Sequence, residues 1–164
     1  MKKNESLYWD GYFMALAKVS ALRSKDPSTK VGACIVNKNK RVISLGYNGM
    51  PQGLDTEFPW SRDGEKASET KYAYVIHAEM NAILNSQDKF EDCVMYTSLF
   101  PCSNCAKTIS QSGIVEIVYE NDKYHDTDDA KISRNILDTC GINTRKIEID
   151  TNININVGEK KFKI

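Results

Sequence analysis

From residue 77 onward the chain alternates helical and strand-like stretches, and that order restricts the fold more than any other feature of its 164 residues. Residues 77–86 (HAEMNAILNS) carry Ala78, Met80, Ala82, Ile83 and Leu84, good helix formers. Residues 93–98 (CVMYTS) read as a strand, and a helix starts near Cys102 and stops at Gly113. Residues 114–120 (IVEIVYE) read as a strand. The next helix, capped by Asp126 or Thr127, turns Ile132, Ile136, Leu137 and Cys140 inward and stops at Gly141; another strand falls near 144–150. Strands joined through helices run parallel, by right-handed crossovers.

The first half adds an antiparallel part. Residues 6–23 are predicted helical, capped by Ser6, with Trp9, Phe13, Leu16, Ala17 and Ser20 on one face. Ser24-Lys25-Asp26-Pro27 breaks that helix. Residues 31–37 (VGACIVN) and 41–47 (RVISLGY) then form a hairpin around Lys38-Asn39-Lys40. The expected fold class is α/β: a three-layer α/β/α arrangement around a five-stranded mixed sheet. The length suits one domain, residues 1–164, with its core over about 6–150. Residues 48–70 show little periodicity, and a loop that long is usually functional or mobile. The Asn- and Ile-rich tail from Thr151 is assigned no element, and there is no internal repeat.

Charge and targeting signals narrow the classes of function. Twenty-two basic residues balance twenty-two acidic ones, which favours a small substrate over a polyanion such as nucleic acid. No apolar run reaches membrane-spanning length, and Met1 to Glu5 leads into an amphipathic segment without a signal-peptide core. The expectation is a cytoplasmic protein with no membrane partner, where thiols stay reduced. Five cysteines is an odd count, and two lie three apart, which points to a metal before a disulfide.

Two short segments carry the chemistry: His77-Ala78-Glu79 and Pro101-Cys102-Ser103-Asn104-Cys105. In a helix–strand–helix succession the start of the 77–86 helix lies near the end of the following strand, where the cysteine pair begins the next helix. Two helix N-termini then meet at the carboxyl edge of the sheet, the usual ligand crevice of open α/β sheets. A first-turn position favours the thiolate form. One imidazole and two thiolates suit tetrahedral zinc, and three protein ligands leave a fourth position for water, the catalytic arrangement. A purely structural site would need a fourth ligand from Cys34, Cys93, Cys140 or His125, and Cys34 and Cys140 read better as small core residues. Glu79 would act as general acid and base on that water. One tension remains: two residues on an ideal helix lie roughly 200° apart, so His77 and Glu79 share a pocket only if His77 sits at the very start.

The combination H-x-E…P-C-x-x-C is the known signature of zinc-dependent deaminases. HAEMNAIL at 77–84 and FPCSNCAK at 100–107 resemble the cytidine deaminase superfamily. WDGYFM at 9–14, RSKDPSTKVGACIV at 23–36, GYNGMP at 46–51, KYAYVIHAEMNAI at 71–83 and DKYHD at 122–126 resemble its deoxycytidylate (dCMP) deaminase branch. The resemblance implies zinc on His77, Cys102 and Cys105, Glu79 as the catalytic acid/base, and conversion of dCMP to dUMP and ammonia. It further implies a homohexamer activated by dCTP and inhibited by dTTP with magnesium (Mg2+), the effector site involving Gly46, Tyr47, Asn48 and Gly49. Some relatives hold a second zinc through Cys and His in the long loop; residues 48–70 contain neither, so one Zn2+ per chain is expected.

Substrate contacts are expected from Ser24, Lys25, Asn48, Ala78, Lys123 and Tyr124. Asn48 would reach the sugar hydroxyl and Lys25 or Lys123 the phosphate, while Tyr124 would meet the base or phosphate. Phe58 and Trp60 would cover substrate or bury against a neighbouring subunit. A nucleic-acid deaminase shares the zinc logic but would need an anionic-strand groove, against the balanced charge. A nucleoside or riboflavin-pathway deaminase would use the same donors on a substrate without a phosphate contact. A non-enzymatic binding module would keep zinc as a folding staple and leave Glu79 dispensable.

Overall fold

The computed structural model describes residues 6–149 and 151–164. In chain order the elements are α1 (Trp9–Ala21), β1 (Gly32–Val36), β2 (Val42–Tyr47), α2 (Ala78–Leu84), β3 (Cys93–Leu99), α3 (Ser103–Ser110), β4 (Ile114–Asn121), α4 (Asp128–Thr139), β5 (Asn143–Lys146), β6 (Asn154–Val157) and β7 (Lys160–Lys163). Five strands form one sheet in the order β2-β1-β3-β4-β5. β1 is antiparallel to β2 and β3, while β3, β4 and β5 are parallel. This is the mixed three-layer sheet that the alternation of elements dictates.

The two faces of β1 separate the layers, because successive side chains point to opposite sides. Cys34 and Val36 pack with Phe13, Met14 and Ala17 of α1, joined by Tyr96, Val118 and Ile147. Ala33 and Ile35 pack on the other face with Ala78 and Ala82 of α2, Cys105 and Ile109 of α3, and Leu137 of α4.

Several expectations need correction. α1 begins at Trp9, with Tyr8 at the N-cap and no side-chain cap bond, so Ser6 does not cap it; the helix also ends at Ala21, two residues before the predicted limit. Trp9 is 53% exposed: its ring stacks on Phe13 at 5.4 Å instead of entering the core. In α4, Thr127 caps by accepting from the Ala130 N–H, and the buried positions are Ala130, Ser133 and Leu137. Ile132 and Cys140, expected inside, are exposed. The inward row at 130, 133 and 137 follows helical spacing. Ser133 occupies a core position because its hydroxyl donates to Pro101 O at 2.7 Å.

β5 is shorter than the predicted 144–150 strand, although Ile147 N still donates to Tyr119 O at 2.8 Å. The predicted end at Asp150 lies outside the described residues, as does the segment Met1 to Glu5. The tail, assigned no element from sequence, forms an antiparallel hairpin of β6 and β7, separate from the main sheet. Lys18 of α1 reaches the start of the tail, donating to Thr151 O at 2.9 Å and pairing with Glu120 at 3.1 Å.

The helix that presents the candidate site is fixed to β2 at close range. A Cβ at Gly46 would lie 2.3 Å from both Ala78 O and Ala82 N, so only glycine lets α2 approach this strand. Three hydrogen bonds hold the contact: Ser44 Oγ to Ala82 O (2.6 Å), Asn81 Nδ2 to Tyr47 O (2.8 Å) and Asn85 Nδ2 to Leu45 O (2.9 Å).

Candidate active site

His77 is the N-cap of α2, with φ −71° and ψ 156°, and is therefore extended and not helical. The angular conflict expected between His77 and Glu79 does not arise, because the helical rotation starts after His77. Glu79 lies in the first turn and is 4% exposed. Cys102 is likewise the N-cap of α3, and Cys105 lies one turn in and is buried. His77 Nδ1 is 3.3 Å from Cys102 Sγ and 3.4 Å from Cys105 Sγ. Glu79 Oε2 accepts from Cys105 Sγ at 3.6 Å.

These three donors form the only cluster of its kind among the described residues, with one ligand atom from each lying within 4.8 Å of the others. Cys34, Cys93, Cys140 and His125 do not join it. Zinc–sulfur and zinc–nitrogen bonds at a tetrahedral angle would separate N and S by about 3.5 Å. The observed spacings match that, so the residues fit a tetrahedral zinc with three protein ligands.

The electrostatics agree with a thiolate-based metal site. Hydrogen bonds from Cys105 and His77 outweigh burial and bring the Cys102 thiol down to about 4. The Cys105 thiol is pushed up by its bond to Cys102 and by burial. His77 is pushed up to about 9, chiefly by its bond to Cys102. Burial raises the proton affinity of Glu79. The protons that the cluster shares are those a divalent metal would displace on binding.

α4 braces the cysteine turn from outside. Asp129 accepts from Ser103 N at 3.1 Å and from the Ser103 hydroxyl. Ser133 holds Pro101 O, and the Arg134 guanidinium lies 4.0 Å from the centroid of the Phe100 ring while pairing with Asp122. The backbone on both sides of Cys102 is thereby tied to the next helix.

A cavity of ≈ 360 Å³ opens on the cluster, within the range of small-molecule sites. Its lining includes His77, Ala78, Glu79 and Cys102, the group Asn48, Asp26, Thr29 and Lys71, and also Arg62, Tyr72, Tyr124 and Asp129. Of the expected substrate contacts, Asn48, Ala78 and Tyr124 are on this wall. Ser24 is buried away from it, its hydroxyl accepting from Asp26 N at 3.2 Å. Lys25 pairs with Asp55 at 2.7 Å on the surface. Lys123 lies off the wall, its ammonium 5.0 Å from the centroid of the Tyr124 ring. Among the expected effector residues, Gly46 packs beneath α2, Tyr47 accepts from Asn81, and Gly49 pairs with Ile76. Phe58 stacks on Tyr74 at 4.5 Å, and Trp60 Nε1 donates to Asp55 O.

Sequence reasoning missed a buried network beside the cavity. Lys71 Nζ donates to Asp26 Oδ2 at 2.6 Å and to Ser28 Oγ at 2.9 Å. Asn48 Nδ2 donates to Asp26 Oδ2 at 3.2 Å and to Thr29 O at 3.0 Å, and its Oδ1 accepts from Val31 N at 2.8 Å. Both amide donors of Asn48 are thus engaged within the protein, leaving one acceptor lone pair. Asp26 and Lys71 fall inside the segments RSKDPSTK and KYAYV, but their pairing spans 45 positions and has no local signal.

The chain is similar to proteins of known family. The family model described as the cytidine and deoxycytidylate deaminase zinc-binding region matches residues 7–121. The deoxycytidylate deaminase of Homo sapiens is 49% identical over 147 residues, covering 88% of this chain and 83% of that protein. A probable deoxycytidylate deaminase of Drosophila melanogaster is 46% identical over 153 residues, covering 88% and 75%. The crystal structure of dCMP deaminase from the cyanophage S-TIM5 in complex with dCMP and dUMP is similar with a TM-score of 0.65 at 27% identity, covering 83% of this chain and 94% of that one. With its donor cluster, its sheet order and this extent of similarity, the chain belongs to the cytidine and deoxycytidylate deaminase family.

Proposed function

We propose that this protein is a zinc-dependent hydrolase that converts dCMP to dUMP and ammonia, and so supplies dUMP for thymidylate synthesis. The observation that carries the reading is the convergence of His77 Nδ1, Cys102 Sγ and Cys105 Sγ beside the buried Glu79 carboxylate, at a cavity of ≈ 360 Å³ lined by His77, Glu79 and Cys102. The names of its relatives and the dCMP-bound structural neighbour support the choice of substrate.

His77, Cys102 and Cys105 would hold one zinc per chain. When bound there, zinc would act as a Lewis acid that makes water a nucleophile near neutral pH. Glu79 takes the proton of the attacking water and passes protons to the ring nitrogen and the departing amine. Water adds at the carbon bearing the exocyclic amine, the carbon–nitrogen bond breaks, and ammonia leaves. The braced turns on either side keep the ligands and the carboxylate in place, so binding energy is not needed to assemble them.

Homohexameric assembly, activation by dCTP and inhibition by dTTP with magnesium belong to this reading on the strength of the family resemblance. Among the described residues no helix is long and apolar enough to cross a membrane. Ammonia release from dCMP, deoxycytidine, and single-stranded DNA and RNA, measured side by side on zinc-loaded protein, tests the proposal. Turnover of dCMP well above the other three is expected, and turnover of a strand without the free nucleotide overturns it.

A further inference from the structure

This inference rests on the dCMP reading. A nucleoside monophosphate brings a phosphate carrying roughly two negative charges near neutral pH. The cavity wall is poorly suited to that at first sight: Asp26, Glu79, Asp122 and Asp129 are acidic, and apart from His77 only Lys71 and Arg62 are basic. Lys71 is already neutralised, its ammonium held at 2.6 Å by Asp26 with both side chains almost fully buried. The basic residues expected from sequence are elsewhere, Lys25 on Asp55 and Lys123 beside Tyr124 off the wall.

Arg62 is different. Among the described residues no carboxylate forms an ion pair with it. Its Nε donates to the Tyr72 hydroxyl at 3.0 Å, which orients the guanidinium and leaves both terminal nitrogens available. A guanidinium presented this way suits two parallel bonds to phosphate oxygens. The loop carrying it is anchored: Ser61 O, next to Arg62, accepts from Lys71 N at 2.8 Å, and Lys71 is itself fixed by Asp26. Gly49 and Ile76 close the base of the loop with two backbone bonds of 3.0 and 2.8 Å.

We propose that Arg62 binds the substrate phosphate and makes the site selective for nucleotide over nucleoside, with Tyr72 as its positioning residue. The buried Asp26–Lys71 pair serves as the loop's anchor and not as the phosphate ligand.

The test is steady-state kinetics of zinc-loaded Arg62→Ala, Arg62→Lys and Tyr72→Phe on dCMP and deoxycytidine, with circular dichroism to establish folding. For Arg62→Ala the ratio of kcat/KM for dCMP to that for deoxycytidine is expected to fall about 10- to 100-fold, mainly through KM for dCMP, the size of a lost charge-assisted hydrogen bond. Arg62→Lys recovers part of the loss, and Tyr72→Phe shows a smaller rise in KM. An unchanged ratio in Arg62→Ala, or equal losses on both substrates, overturns the assignment while the deaminase reading stands. A parent protein that releases no ammonia from dCMP overturns both.

Discussion

Asp129, in the first turn of α4, accepts two hydrogen bonds from Ser103, one from its backbone N–H at 3.1 Å and one from its hydroxyl. Ser103 follows Cys102 directly, so a carboxylate from one crossover helix sets the turn that carries the thiolates of another. Groups that orient metal ligands typically change affinity by about 10- to 100-fold when removed. Asp129→Ala is therefore expected to weaken zinc by that factor in competition with a chelator. Asp129→Asn, which keeps one acceptor, should fall between. Parent-like zinc affinity in Asp129→Ala would show that the brace is idle.

Lys71→Met tests the buried pair beside the cavity. Burial pushes the Asp26 carboxyl up, but the Lys71 ammonium, with donors from Ser28 and Thr29, outweighs burial and holds it below its ordinary value. A depressed carboxyl contributes stability that is complete above the unfolded value of about 3.9 and is lost as pH falls through the lower folded value. Removing the cation leaves Asp26 buried without its partner, at a cost of ~3 kcal/mol. The variant should show a lower urea midpoint at neutral pH, and its acid unfolding should move to higher pH. An acid transition at the parent's pH would contradict the role given to Lys71.

Gly46→Ala should destabilise the protein by about 1–3 kcal/mol, the usual cost of overpacking. The added Cβ would meet the backbone of α2 at 2.3 Å, and backbone cannot swing aside as a side chain can. Because His77 is the N-cap of α2, the same change should reduce zinc affinity. Thermal unfolding and zinc competition on one preparation check both effects; a stable variant with normal zinc binding would remove Gly46 as the seat of the α2 contact.

What the sequence reveals depends on the range over which its signals act. The crossovers follow from local periodicity, and His77 with the Cys102–Cys105 pair follows from motif spacing. The relation of His77 to Glu79 is not legible there, because the N-cap dihedrals decide it. Apolar counting misplaces Ile132 and Cys140 of the α4 region, because a polar Ser133, satisfied by Pro101 O, takes an inward position. The tail hairpin does leave a signal: Ile153, Ile155 and Val157 alternate ahead of Gly158-Glu159, a two-residue turn. The Asp26–Lys71–Asn48 network and the placement of Arg62 leave none, since they join distant segments through a loop without periodicity.

The most direct test of the central claim is ammonia release from dCMP by Glu79→Gln, with zinc counted on the same sample. The parent should hold one zinc per chain. The variant should keep its fold and its zinc, because Glu79 is outside the donor cluster, and should lose roughly 10³-fold in kcat, as expected for removing the proton carrier. Near-parental turnover by a zinc-loaded Glu79→Gln protein would contradict the account.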